Sequence, residues 1–373
     1  MLRIGYDAKR IFHNRTGLGN YGRDLVRILS ENFPENRYLL YNPKPSREIL
    51  FRLGSSMTER RPASWWHKKF PAWWRSKGII ADLLKDGVDV YHGLSAELPV
   101  GISRTGISSI LTVHDLIFIR YPHLYKAFDR WIYRKKLEKA LAEAHQIVAI
   151  SEQTKRDLIS LAGADAERIK VIYQGCHPVF KREIPEESLE AFRKAHDLPP
   201  KFLLQVGTIE PRKNALTTVR ALKDLPYHLV LVGRPTPYAG QIRDFVRTHG
   251  MEDRIRIMSH VPLDELAKWY RLAHVSVYPS IFEGFGIPII ESLYAGTPVI
   301  TNSRGVFPEA AGPGGIYLDD VTDVDEMREK IRWSMENDLS VQAQKAREYV
   351  HRFDDDVLAG QWMDLYRALA RKS

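Results

Sequence analysis

The chain has 373 residues, 44% of them hydrophobic and 10% aromatic, and a formal net charge of +9. That length exceeds one ordinary domain and suits two of about 170–190 residues, each able to bury a core, which excludes disorder as the general reading. The single cysteine, Cys176, excludes an intramolecular disulfide and a thiolate metal cluster, and agrees with a reducing compartment.

The first expected strand, Leu2–Tyr6, is interrupted by Arg3 and followed by Asp7, Lys9 and Arg10. No apolar segment comes next, so a secretory leader is not expected. Short β-branched runs then alternate with longer helical patterns. Strands are expected at Tyr38–Tyr41, Val88–His92, Ser108–Val113, Gln146–Ile150 and Lys170–Tyr173. A second set runs Phe202–Val206, His228–Val232, Ile255–Met258, Val275–Tyr278, Pro298–Thr301 and Gly315–Leu318. Alternation of this kind is the mark of parallel βαβ units. The fold class read from it is α/β, with two Rossmann-like domains whose parallel sheets face each other across a cleft. A Pro-rich stretch between Pro178 and Pro200 places the boundary, giving domains over 1–182 and 183–355. The last helix, expected over 356–371, is a candidate to pack back on the first domain. No run of about 18 apolar residues could span a bilayer. The most apolar stretch, Ile287–Ile300, carries Glu291. A cytoplasmic protein is expected, either free or resting on the inner face of a membrane.

Charge is uneven. Residues 1–182 hold 31 Lys and Arg against 18 Asp and Glu, a net +13, and the remainder holds 24 against 28, a net −4. The basic half suits an anionic partner such as a lipid headgroup, although solubilising charge explains it equally well. The segment from Arg60 to Lys77 sets Trp65, Trp66, Phe70, Trp73 and Trp74 among Lys68, Lys69 and Arg75. It reads either as an interfacial element on an anionic membrane or as an amphipathic helix packed on the first sheet, with Pro71 breaking any single long helix.

Several motifs follow expected strands, where parallel sheets collect ligands. The strongest is Glu283-Gly-Phe-Gly-Ile-Pro-Ile-Ile-Glu291. Gly284 and Gly286 allow close backbone approach around Phe285, and Pro288 suits the first turn of a helix whose free N–H groups favour an anion. Glu291 interrupts an apolar run, which is costly unless it has a partner such as a ribose diol. Upstream, Gly207-Thr-Ile-Glu-Pro-Arg212-Lys213-Asn214 places two cations at a helix start, where they oppose the dipole unless an anion joins them. Val113-His114-Asp115 ends another strand, as does Tyr91-His92-Gly93. The letters of Gly17-Leu-Gly19-Asn-Tyr21-Gly22 match a dinucleotide fingerprint, but about ten residues separate them from the strand, and Asn42 stands where the ribose acid belongs. NAD binding is therefore rejected. No Walker loop, no H-E-x-x-H and no compact Asp-x-Asp at a strand end is present, and no recognition helix supports nucleic-acid binding.

The Gly-rich first loop, the His-Asp, the Arg-Lys-Asn and the Glu-x₇-Glu with Gly-Phe-Gly inside it, in that order, resemble the family 4 retaining glycosyltransferases of the GT-B fold. The resemblance implies that Glu283 contacts the donor sugar, Glu291 holds the ribose, and Arg212 and Lys213 hold the diphosphate without a metal or other cofactor. It also implies that His114 acts with Glu283 in catalysis and that Gly17 and Gly19 belong to a loop closing on the donor. Gly207, Gly284, Phe285, Gly286 and Val261 complete the expected donor side, and Tyr21, Asp115 and His92 the acceptor side. The Gly-Arg pair common after this strand is replaced by Gly207-Thr208. The Glu-Pro-Arg-Lys-Asn form is similar to that of several mannosyl- and rhamnosyltransferases, and a GDP-sugar donor is favoured; the basic, Trp-rich first domain favours a saccharide or lipid-linked saccharide acceptor. A sugar-nucleotide hydrolase or epimerase, or a non-catalytic binding module, are the alternative readings.

Overall fold

The computed structural model describes residues 1–46 and 48–371. Its contacts form two compact units, one from Met1 to Gly175 together with the chain from Phe353 onward, the other Cys176–Arg352. The division thus falls after Gly175 rather than after residue 182. The reason is local: Phe180 packs edge-on against Tyr270, with ring centroids 5.7 Å apart, inside the second unit.

The first unit holds a seven-stranded sheet of β1 (Arg3–Asp7), β2 (Arg37–Tyr41), β3 (Met57–Arg60), β4 (Val90–Gly93), β5 (Ser108–Val113), β6 (Gln146–Ala149) and β7 (Ile169–Val171). The order is β3-β2-β1-β4-β5-β6-β7, with every pairing parallel. All six residues of β5 are buried, as expected for a strand covered on both faces. The edge strand β3 escapes sequence reading because Met-Thr-Glu-Arg carries no apolar alternation. It forms by backbone pairing to β2 and stays half-exposed. β4 begins later than its apolar letters suggest. Val88 N–H is taken by the carbonyl of Leu83 at 3.1 Å, at the end of the preceding helix. The helix Asp355–Ala370 closes the first unit, and Arg27 anchors its first residue through Asp355 at 2.8 Å.

The second unit holds β8 (Phe202–Val206), β9 (His228–Val232), β10 (Ile255–Met258), β11 (Val275–Tyr278), β12 (Val299–Asn302) and β13 (Ile316–Leu318). They pair in parallel in the order β10-β9-β8-β11-β12-β13. Strand order reverses between β1 and β4 in one sheet and between β8 and β11 in the other. Loops leaving these strands at their carboxyl ends diverge there and leave room for a ligand.

The tryptophan segment divides its labour. A helix Trp65–Lys69, capped by Ser64, and a turn Pro71–Trp73 lead into one π-helical turn, Trp74–Gly78. Trp74 is fully buried and donates to Asp82 at 2.7 Å, whereas Trp65, Trp66, Phe70 and Trp73 are exposed. One indole is core and three lie on the surface, so neither sequence reading holds for the whole segment. Among the described residues no helix is long and apolar enough to cross a membrane.

Candidate active site

In the second unit, β8 is followed by Gly207 at φ +145°, a backbone conformation that strains any residue with a side chain. A Cβ on Gly233 would meet the Gly207 carbonyl oxygen at 1.8 Å, so the two strand ends need glycine to pack backbone on backbone. The loop then tightens into the turn Pro211–Lys213, and Asn214 follows in the left-handed region at φ +56°. Asn214 locks that strained position by donating to the Val321 carbonyl at 2.6 Å and accepting from Thr217 at 2.7 Å. Gln205 holds the Lys213 carbonyl at 3.0 Å, and Ile281 N–H reaches the Arg212 carbonyl at 2.9 Å. The loops after β8 and β11 are therefore bound to each other through backbone.

This frame brings three predicted residues together. Arg212 Nη1 and Lys213 Nζ both lie 2.6 Å from Glu283 Oε1. Arg212 also donates to the Phe282 carbonyl and pairs with Glu210, each at 2.7 Å. Lys213 donates to the Tyr278 hydroxyl at 2.5 Å and sits over its ring. Burial alone would raise the Glu283 carboxyl, but Lys213 and Arg212 outweigh it and hold the group ionised, below the usual range. Burial likewise opposes the Lys213 charge, and Glu283 more than restores it. The two cations are thus balanced within the protein by Glu283, 12% exposed, and by Glu210, 31% exposed.

Gly286 stands at φ +110° before the helix Ile287–Tyr294, with Pro288 in the first turn. Phe285 is a buried plug whose side chain anchors the loop, so any donor contact it makes is through its backbone. Glu291 lies further along the helix and accepts from the Tyr270 hydroxyl at 2.9 Å. Burial pushes its carboxyl up to about 7, against the Tyr270 hydrogen bond and the Lys213 charge. Val261 follows edge strand β10 beside His260, whose φ is +58°. It stands two strands from β8, about 10 Å at ordinary strand spacing.

In the first unit, His114 follows β5 and its Nε2 lies 2.9 Å from the Leu94 carbonyl. A carbonyl accepts only, so Nε2 carries the proton and Nδ1 is left as acceptor. Burial lowers this imidazole to about 4, the Leu94 bond opposing and the Arg10 charge assisting, and the ring is neutral. Tyr21 packs edge-on against it at 4.6 Å, and its own hydroxyl is 3.4 Å from Thr112. Tyr21 is buried and supports His114, which corrects its assignment to an acceptor surface. Asp115 accepts from Ile117 N–H at 3.1 Å, shaping the turn after β5.

His92 is corrected outright. It is fully buried, with Nδ1 2.8 Å from Tyr366 and Nε2 2.7 Å from Thr112, and its ring lies 4.8 Å from Trp362. It joins the last helix to the sheet and has no face left for an acceptor. Gly19 has a packing reason for being glycine, since a Cβ would meet the Asn14 carbonyl oxygen at 1.9 Å. Gly17 has none, and both lie in the first turns of the helix Gly17–Asn32 rather than in a free loop.

Two known families cover nearly the whole chain. Residues 17–179 match Glycosyltransferase Family 4, and residues 187–352 match Glycosyl transferases group 1. O-antigen chain mannosyltransferase B of Escherichia coli is 31% identical over 357 residues, 90% of this chain and 91% of that protein. The chain belongs to the family 4 glycosyltransferases. O-antigen chain mannosyltransferase RfbU of Salmonella typhimurium is 27% identical over 258 residues, 68% of each chain. Among solved structures, sucrose-phosphate synthase of Thermosynechococcus elongatus superposes with a TM-score of 0.79 over 100% of both chains at 20% identity, a likeness of GT-B fold.

For this glycosyltransferase, sequence reasoning missed Glu210, Tyr278 and Tyr270. Glu210 stands two residues before Arg212 in the Gly207–Asn214 segment and Tyr278 ends an expected strand, so position was the available signal. Tyr270 reaches Glu291 from a separate helix, Leu263–Leu272, and nothing local marks it. Among the described residues no group of three or more His, Cys, Asp or Glu could hold a metal ion.

Proposed function

We propose that this glycosyltransferase moves a hexose, with mannose favoured, from a GDP-linked donor to a saccharide or lipid-linked saccharide, retaining the anomeric configuration. The observation that carries the reading is the shared Glu283 oxygen between Arg212 and Lys213 at the reversal point of the second sheet. A diphosphate entering there replaces Glu210, the more exposed carboxylate, on Arg212. The two cations then stabilise charge building on the leaving diphosphate, a role that needs no metal in this reading. Glu283, held ionised, stays beside them to orient the sugar hydroxyls and stabilise oxocarbenium character. Glu291, partly ionised near neutrality, accepts from the ribose diol. His114, neutral with Nδ1 as acceptor, is the second catalytic candidate. The E. coli relative's name, a mannosyltransferase of O-antigen chains, supports the choice of sugar and a saccharide acceptor.

The test is calorimetric titration with GDP, UDP, ADP and dTDP. GDP binds most tightly, and Arg212→Ala weakens it about 10- to 100-fold, the loss expected for a charge-assisted hydrogen bond. An unchanged titration refutes the diphosphate assignment. A peripheral membrane contact completes the reading: Trp65, Trp66, Phe70 and Trp73 are exposed beside Lys68 and Lys69. The chain should sediment with anionic vesicles, and Trp66→Ala combined with Trp73→Ala should reduce that fraction. Sedimentation that survives this pair of changes removes the segment from the membrane account.

A further inference from the structure

The reversal point of the first sheet lies between β1 and β4, where most of the residues leaving the two strands serve neither the donor cations nor Glu283. β1 ends in Asp7 and is followed by Lys9 and Arg10, and after β4 come Leu94, Ser95 and Glu97. The carboxylates of this corner are already committed. Asp7 is buried and receives Arg75 through Nε at 3.0 Å and Nη2 at 2.5 Å. Glu97 pairs with Arg75 as well, and its other oxygen meets Lys136 at 3.3 Å. Lys9 and Arg10 are left over. Among the described residues neither side chain forms an ion pair or hydrogen bond, and Arg10 Nε is buried with no partner.

One fact places Arg10 beside the catalytic candidate, and two more mark the loop after β4, the strand paired with β1, as unsatisfied and held in place. Arg10 is near enough to His114 for its charge to depress the ring's basicity. Leu94, whose carbonyl receives His114 Nε2, is followed by Ser95, whose Oγ is buried and also without a partner. The next residue, Ala96, is held in the left-handed region at φ +54°, a conformation that non-glycine residues adopt chiefly where surrounding structure imposes it. Half-buried cations and a buried hydroxyl without partners are costly in an empty protein and are satisfied together by an anion with several acceptor oxygens. Neutral sugar hydroxyls would leave the charge uncompensated.

We propose that Lys9, Arg10 and Ser95 form an anion subsite at the reversal point of the first sheet, which takes a phosphate-type group carried by the acceptor. The assignment to the acceptor rests on the transferase reading above. The donor's diphosphate has its own cations, Arg212 and Lys213, so a second set of cations calls for a second anion. That anion is either a phosphate monoester on the saccharide or the diphosphate link of a lipid carrier, which share the same chemistry.

The experiment uses the full chain saturated with GDP, titrated with inorganic phosphate, methyl phosphate and dimethyl diphosphate while the His114 ring protons are followed by NMR. Saturable shifts of those protons are expected. Lys9→Met combined with Arg10→Gln should weaken phosphate binding by about tenfold or more, as loss of charge-assisted hydrogen bonds implies, with GDP affinity unchanged. Lys9→Arg should retain binding, and Ser95→Ala should lose a smaller factor, which separates the subsite from a general loss of fold. Tighter binding of methyl phosphate identifies a monoester, and tighter binding of dimethyl diphosphate a carrier link; either supports the subsite. Phosphate affinity equal in the double variant and the parent overturns it. A parallel drop in GDP affinity overturns the acceptor assignment and gives the pair to the donor. If GDP itself does not bind, the donor reading fails, while titration of the chain alone still reports on Lys9 and Arg10.

Discussion

The two sheets put charge at the same topological point and balance it differently. At the reversal point of the second sheet, Arg212 and Lys213 are each paired inside the protein, one carboxylate oxygen of Glu283 serving both and Glu210 taking the rest of Arg212. At the reversal point of the first, Arg75 takes up the carboxylates and Lys9 and Arg10 remain open beside a neutral imidazole. Internal pairing holds side chains in a fixed geometry before any ligand arrives, which favours preorganised stabilisation of developing charge. Unpaired cations gain their partner only on binding, so they add affinity and register rather than a fixed catalytic geometry. The lesson is that a basic motif is not itself a ligand site; the carboxylates around it decide which kind of site it is.

The comparison is broken most severely at Glu283. Glu283→Ala should reduce transfer by about a thousandfold, comparable to losing a preorganised transition-state contact, while nucleoside diphosphate still binds. Product formation at the parent rate, measured by chromatography of the transferred sugar, would falsify the catalytic role.

Glu291 sharpens the contrast through pH. Its folded value of about 7 stands above the ordinary 4.5, so between those limits the folded chain keeps a proton that the unfolded chain has released. Stability contributed by this group is complete below about pH 4.5 and is lost as pH rises towards 7. Glu291→Gln should therefore stabilise the unliganded protein above pH 7 by up to about 3 kcal/mol and change little near pH 4.5. It should also weaken nucleotide binding. Denaturant melts at the two pH values check the first part, and equal midpoint shifts at both would remove burial as the cause.

The smallest effect belongs to Glu210. If a diphosphate displaces this carboxylate from Arg212, Glu210→Gln should tighten GDP binding only severalfold, on the order of 1 kcal/mol, because the pair is partly exposed. Weaker binding in that variant would mean that Glu210 helps hold the ligand, and the contrast between paired and open cations would lose one side.

Much of the site could be read before the fold was known because its parts are short and local. Arg212 and Lys213 are adjacent letters after an apolar strand, and Glu283 and Glu291 sit in a single segment with glycines where the backbone turns. Histidine shows where this reading stops. His92 and His114 stand at the ends of neighbouring strands, His92 fully buried and His114 only partly, and desolvation lowers both, to about 3 and about 4. One is enclosed by Tyr366, Thr112 and Trp362, and the other stands beside unpartnered Arg10. The difference comes from the last helix, whose Trp362 and Tyr366 are separated from His92 by most of the chain.

Periodicity and spacing alone determined the two parallel α/β sheets, the glycine-bearing turns and the Glu-x₇-Glu segment, because each depends on residues a few positions apart. Tertiary structure decided which tryptophan became core, which histidine was sealed, where the second unit began and which cations found partners. Those outcomes depend on contacts between segments far apart in the chain, and burial and pairing energies arise only when such segments meet.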